Sequence, residues 1–197
     1  MEQPYYETFQ EISDLGIQLA YSTAPGGYHP LHWHEEIELL YQLNGEATIQ
    51  IEGKKYQIPN KHLTVVDSGL VHSTYTYSDT SMFICAHISR KYMERYLPDI
   101  ELYQIHCIPD DLTDEQFPEY RKICQMLEDL TRIYIEDASA FLMEAEGIIM
   151  QVLAHLIRHF STHAASKVTA TDRLTVDRIR EIITYVEEHF AGQISLQ

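Results

Sequence analysis

The chain is poor in cysteine, in tryptophan and in positive charge, and it has no long apolar run. Its three cysteines, Cys85, Cys107 and Cys124, are odd in number, widely separated and never in a CxxC arrangement. That argues against a disulfide framework and against a thiolate zinc site, and leaves plain buried or half-buried thiols. No stretch approaches the roughly 18 consecutive apolar residues of a membrane span. The N-terminus, MEQPYYETFQE, carries acids and tyrosines where a secretory signal carries a basic segment and an apolar run. These absences predict a soluble, cytoplasmic protein without a membrane partner. Lys and Arg number 14 against 30 Asp and Glu, a formal net charge of −16. Phosphate backbones are bound by clustered positive charge, so DNA contact is not expected from this acidic stretch and must come from elsewhere. What is present is 197 residues of 45% hydrophobic composition, enough for one larger domain and a small appendage.

The first half reads as short strands. Between about Ile17 and Ser89, Pro25-Gly26-Gly27, Asn44-Gly45, Glu52-Gly53, Pro59-Asn60 and Asp67-Ser68-Gly69 punctuate apolar runs such as IELLYQL, ATIQI, HLTVV and MFICAHI. That rhythm predicts an antiparallel sandwich or barrel. Asn44-Gly45 is the expected tight hairpin, because both central positions of such a turn can need positive φ.

After Pro98 the period changes. Thr113 and Gln116 have the spacing of a capping box ahead of a helix carrying Tyr120, Ile123, Cys124, Leu127 and Leu130, with Pro118 delaying its start. A second helix follows, with Ser139 as its expected N-cap and Phe141, Ala145, Ile148, Ile149, Val152, Leu156 and Phe160 on one face. Two such amphipathic helices can pack on each other, on the β half or across a dimer, core packing being the more frequent use of an apolar stripe; in the dimer arrangement Phe141, Ala145, Ile149, Val152 and Leu156 are the expected contact. Residues 161–172 read as a linker. Beyond it Ile179, Ile182, Ile183, Val186 and Phe190 form another helical face that Gly192 can stop, and Ser195 stands as the N-cap of a further helix.

The segment HWHEE, His32 to Glu36, carries the chemistry. Residues two apart on a strand point the same way, so His32, His34, Glu36 and Glu38 share a face if the strand is regular. Imidazoles with a carboxylate suit zinc, nickel, manganese or iron. Trp33 has the opposite parity and is expected outside any pocket. His155, His159 and His163, spaced by four, read as a solvated polar edge rather than a metal face. Tyr28, His29 and the run His72 to Tyr77 read as strand-face residues rather than a pocket rim.

These residues carry a resemblance. Gly26, His32, His34, Glu38 and Gly45 match the first sequence motif of the cupin superfamily at every defining position. Gly69 and His72 fit the second motif, while Lys61, Asp67 and Thr76 stand where it usually shows glycine, proline and asparagine. The resemblance implies a small jelly-roll barrel in which His32, His34, Glu38 and His72 converge. The tail, Asp177 to Gln197, resembles the opening helix of the DNA-binding region of AraC-family transcription regulators, and the order of barrel, helix pair, linker and tail helix matches that family's layout. The expectation is an α+β chain in four parts. Residues 1–97 form a cupin-like effector-binding barrel and 98–160 an antiparallel helical dimerisation segment. Residues 161–172 are the linker, and 173–197 begin a helix-turn-helix DNA-binding domain cut just inside its start.

On this reading the chain is the sensing and dimerisation part of a regulator and not an enzyme. A small effector, a sugar or related metabolite, occupies a pocket formed by His32, His34, Glu38, Gln42 and His72. A homodimer forms, and DNA is contacted through the missing C-terminal domain. No cofactor is required, though His32, His34, Glu38 and His72 offer a set for a divalent transition metal (Zn, Ni, Mn or Fe). The alternative is a metal-dependent cupin enzyme of isomerase or dioxygenase type, for which the ligand set alone speaks.

Overall fold

The computed structural model describes residues 4–7, 17–23, 27–77, 81–136 and 139–163. Residues 1–162 form one compact unit and 163–197 a second, of which only His163 is among the described residues. The expected tail helix therefore lies outside the described residues, as does most of the expected linker.

Nine strands build the first part: β1 (Tyr5–Tyr6), β2 (Ile17–Thr23), β3 (Tyr28–Trp33), β4 (Ile37–Asn44), β5 (Ala47–Ile51), β6 (Lys54–Ile58), β7 (Leu63–Val66), β8 (His72–Thr76) and β9 (Met82–Ile88). They make two sheets, in the orders β1-β3-β8-β5-β6 and β2-β9-β4-β7. Successive strands from β2 to β5 alternate between the sheets, as do β6 to β9, apart from the β5–β6 hairpin, and all pairings except β1 with β3 are antiparallel. This connectivity is a jelly roll. A short helix α1 (Arg90–Met93), strand β10 (Tyr103–Ile105), two 19-residue helices α2 (Phe117–Ile135) and α3 (Phe141–His159), and strand β11 (Ser161–His163) follow. Residues 161–163, expected at the start of a linker, pair with β10 instead.

The hairpin expected at Asn44-Gly45 is corrected: β4 and β5 lie in different sheets, so this turn is a crossover. Gly45 has φ +80, and a Cβ there would stand 3.2 Å from Ser81 Cα, so glycine serves both conformation and close approach. The tight hairpin is at Glu52-Gly53, where both residues have positive φ and β5 pairs with β6.

The β2-β9-β4-β7 sheet is covered on both faces. On one, Ile37, Leu39, Tyr41, Leu63, Val65, Ile84, Ala86 and Ile88 pack against the apolar stripes of α2 and α3. On the other, Leu40 and Val66 join Ala47, Ile49, Ile51, Tyr56 and Ile58 inside the barrel. Double coverage explains why β4 reads as a nearly continuous apolar run interrupted by Glu38 and Gln42. Tyr120 of α2 fastens the layers, its hydroxyl donating to Leu63 O (3.0 Å) and accepting from Leu63 N (2.8 Å).

The capping box ahead of α2 forms: Gln116 N donates to Thr113 Oγ1 and Thr113 N to Gln116 Oε1, and Pro118 fits within the first turn. Ser139 does not cap α3; Ala140 holds that position without a side-chain bond. The expected dimer contact also needs correction. Ala145, Ile149, Val152 and Leu156 are buried in the core against α2 and the sheet, and Phe141 packs at its edge. An amphipathic stripe identifies a buried face without saying what buries it.

Candidate metal and ligand site

The cluster assembles where β3 leaves one sheet and β4 enters the other. His32 on β3 lies directly opposite His72 on β8, and Glu38 on β4 lies opposite His87 on β9. The structure thus brings together His32, His34, Glu38 and His72, all buried, with one ligand atom from each within 4.8 Å of the others. Glu38 Oε2 is the hub: His72 Nε2 stands 2.8 Å away, His34 Nε2 3.3 Å and His87 Nε2 3.9 Å. Glu38 Oε1 accepts from the Cys85 thiol at 3.3 Å.

The backbone sets the tautomers. His32 Nδ1 bonds Pro30 O (2.8 Å), His34 Nδ1 bonds Glu36 O (3.1 Å) and His72 Nδ1 bonds Leu70 O (2.9 Å). A carbonyl only accepts, so each Nδ1 carries a proton and Nε2 is the nitrogen turned inward, free to donate to Glu38 when the ring is charged or to offer a lone pair to a cation when it is neutral. Histidines that ligate metals are held in this way, with the far nitrogen bonded to a carbonyl or carboxylate.

Burial disfavours the Glu38 carboxylate, but bonds from His34 and His72 outweigh it and hold its pKa well below the usual value. Burial likewise opposes a charge on His72, and the Glu38 carboxylate overcomes it and raises that pKa. His32, desolvated and beside His72, is pushed down to about 4. Desolvation also lowers His87 and, with Glu38, raises Cys85 well above a normal thiol. The site therefore holds an anionic carboxylate surrounded by imidazoles, a donor set that fits a divalent transition metal.

Above the cluster is a cavity of about 520 Å³. It is lined by Glu38, His32, His87 and Cys85, by the apolar Leu40, Phe83 and Pro30, and by Tyr28, Thr74 and Thr76. Glu7 reaches in from beyond β1, 3.4 Å from His29 Nε2 and 3.3 Å from His32 Nε2. Tyr28 and His29, read from the sequence as ordinary strand-face residues, line this cavity. His34 and His72 do not line it and meet it through Glu38. Gln42, expected in the pocket, is also off the cavity wall. It is fully buried, and its Nε2 donates to Ser81 Oγ (2.7 Å) and Asn44 O (2.5 Å). Trp33 stays outside as its parity predicts, its ring 4.6 Å from that of Tyr6.

Sequence reasoning missed Glu7, Cys85 and His87. A signal existed for the last two: in MFICAHI, Ile84, Ala86 and Ile88 are buried toward the helices, which turns Phe83, Cys85 and His87 inward. The departures from the second cupin motif are also accounted for. Lys61 adopts φ +61, the conformation glycine would supply. Thr76 Oγ1 accepts from Gly27 N (2.9 Å). Asp67 binds the buried Arg90 and accepts from Ile105 N (3.0 Å) and Ser68 N (3.0 Å). Gly69 N donates to His34 O (2.8 Å), so the loop that leads to His72 also supports His34.

A curated relative, the uncharacterized HTH-type transcriptional regulator YdeC of Bacillus subtilis, is 20% identical over 183 residues, 87% of this chain. The chain spans 60% of that relative's length. Among solved structures, Bacillus subtilis oxalate decarboxylase, described with Mn(II) centres, is 26% identical with a TM-score of 0.33, over 39% of this chain and 22% of its own. The cupin domain of Schizosaccharomyces pombe Cnp3 is 13% identical with a TM-score of 0.36, over 45% and 66%. The family model for the AraC-like ligand binding domain matches residues 15–153, most of the described fold and the whole histidine cluster, and the chain belongs to that family.

Proposed function

We propose that this chain senses a small molecule on behalf of a transcription regulator, with DNA contacted by a domain that starts near residue 173. The observation that carries the reading is the cavity itself: about 520 Å³, lined in part by apolar Leu40, Phe83 and Pro30 and in part by polar Glu7, His29, Thr74, Thr76 and the cluster residues. A sugar or related metabolite suits that division. Its hydroxyls can bond Glu7, His29 and Thr74, and its C–H faces can rest on Tyr28 and Phe83.

His32, His34, Glu38 and His72 would hold a divalent transition metal, which supplies a Lewis-acid centre for an oxygen of the effector. The chain's own residues do the rest. Backbone carbonyls fix the three imidazoles, Cys85 holds the outer carboxylate oxygen of Glu38, and Glu7 closes against His29 and His32 from the strand-β1 side.

Dimerisation moves from the buried stripe to the tip of the helix pair, where Tyr134, Ile135, Leu142 and Met143 are exposed, the last at 78%. A sensor needs the bound molecule to favour one arrangement of the dimer over another.

A panel of monosaccharides and sugar acids, screened by thermal shift in the presence of Mn(II) or Zn(II), tests the reading. A compound that stabilises the parent and fails to stabilise Thr74→Trp supports it; no stabilisation across sugars, with binding of an unrelated class, overturns the sugar assignment. The four-ligand cluster also favours a second reading, a metal-dependent enzyme. Turnover of a compound that binds would decide for it.

A further inference from the structure

Outside the barrel, α2 and α3 bring a second set of metal-binding side chains together. His155 and His159 lie one turn apart on α3, so their rings project from the same face, with centroids 5.7 Å apart. Glu119, in the first turn of α2, faces them: its Oε2 stands 3.2 Å from His155 Nδ1 and 3.6 Å from His159 Nε2. One ligand atom from each residue lies within 4.8 Å of the other two. We propose that Glu119, His155 and His159 form a divalent transition-metal site of the zinc or nickel class that clamps the start of α2 to the end of α3.

The spacing fits the ion. Zinc bonds of about 2.0–2.1 Å in tetrahedral geometry place neighbouring ligand atoms about 3.3 Å apart, and the two measured separations fall on either side of that. The carboxylate is already aimed. Lys122 Nζ takes Glu119 Oε1 at 2.6 Å, which leaves Oε2 turned to the imidazoles. His155 Nδ1 is inaccessible to solvent and has no hydrogen-bond partner despite its nearness to Glu119, an orphaned nitrogen that a metal would satisfy. The surrounding backbone is fixed, because Gln116 Nε2, from the turn that caps α2, donates to His159 O at 3.0 Å. The three side chains are partly exposed, between 20% and 31%, so the cluster lies near the surface, where water can complete an ion's coordination. His163, the third histidine of the run, lies on β11 and takes no part in this cluster.

This site is independent of the function proposed for the barrel. Equilibrium dialysis of the 197-residue chain against Zn(II), with bound zinc counted by mass spectrometry, tests it. Parent, His159→Ala and Glu119→Gln are compared, with far-UV circular dichroism to verify that all three fold alike. Whatever the barrel holds is common to the three proteins, so the parent should carry one equivalent more than either variant. Zinc should also raise the melting temperature of the parent more than theirs. Equal zinc content in three equally folded proteins overturns the proposal. Glu119→Gln guards against a packing effect, since it keeps the shape of the side chain and removes only the charge.

Discussion

Replacing Asp67 with alanine should weaken the fold and the barrel site together. Asp67 and Arg90 are both nearly inaccessible, at 8% and 7% exposure, and form a charged pair between the end of β7 and α1. Arg90 also donates to Ile100 O at 2.7 Å and Tyr103 O at 3.1 Å, and Asp67 accepts from two backbone N–H groups. Truncation leaves a guanidinium buried without its counter-charge, which typically costs about 3–5 kcal/mol. In a unit of this size each kcal/mol lowers the melting temperature by about 2–4 °C, so a loss of about 6–20 °C is expected by calorimetry. Because Asp67 and Gly69 shape the loop that bonds His34 O and runs on to His72, metal affinity at the barrel should fall about 10–100-fold as well. The double variant Asp67→Ala/Arg90→Leu should lose less than the sum of the two single variants. A melting temperature within 2 °C of the parent, or additive losses, would refute the idea that this pair locks the loop.

Three further outcomes follow from the packing. Gly45→Ala should cost about 1–2 kcal/mol in urea unfolding, since an L residue disfavours φ +80 and the new Cβ would press on the Ser81 backbone; an unchanged midpoint would mean that the crossover relaxes freely. Val152→Ala, at a site with no exposure, should lose about 1–3 kcal/mol by thermal or chemical unfolding, whereas the exposed Met143→Glu should leave monomer stability within about 0.5 kcal/mol. In sedimentation, Met143→Glu and Leu142→Glu should shift a dimer toward monomer; a dimer indifferent to both would place the contact elsewhere.

Local spacing made the candidate ligands legible. His32, His34 and Glu38 are close in sequence and match the first motif, although the strand breaks between Trp33 and Ile37, so the change of sheet rather than shared parity gathers them; His72 came from the second motif's Gly69-to-His72 gap. The jelly roll and the α2 capping box were readable for the same reason, being written in short-range turns and periods. What sequence left open depends on long-range pairing. Cys85 and His87 enter the site because β9 lies beside β4, and Glu7 because β1 runs beside β3. Gln42 has the right parity but sits two positions beyond Leu40, where Ser81 and Met82 bond its side chain. Asn44-Gly45 has turn chemistry that suits a hairpin, yet only the partner of the next strand decides between hairpin and crossover, and β5 pairs with β6 and β8. The stripe on α3 was expected at a dimer contact, and it is instead buried within the chain because α2 and the outer sheet face offer a matching apolar surface.

The most direct test of the account is binding in the barrel cavity, followed by isothermal titration with a compound that stabilises the parent. The account predicts one binding site per chain, lost in Thr74→Trp, which fills the cavity, and weakened in His34→Ala, which disturbs the cluster beneath it. Binding that survives both substitutions at full affinity would contradict it, because the molecule would then be recognised somewhere other than the chamber above Glu38.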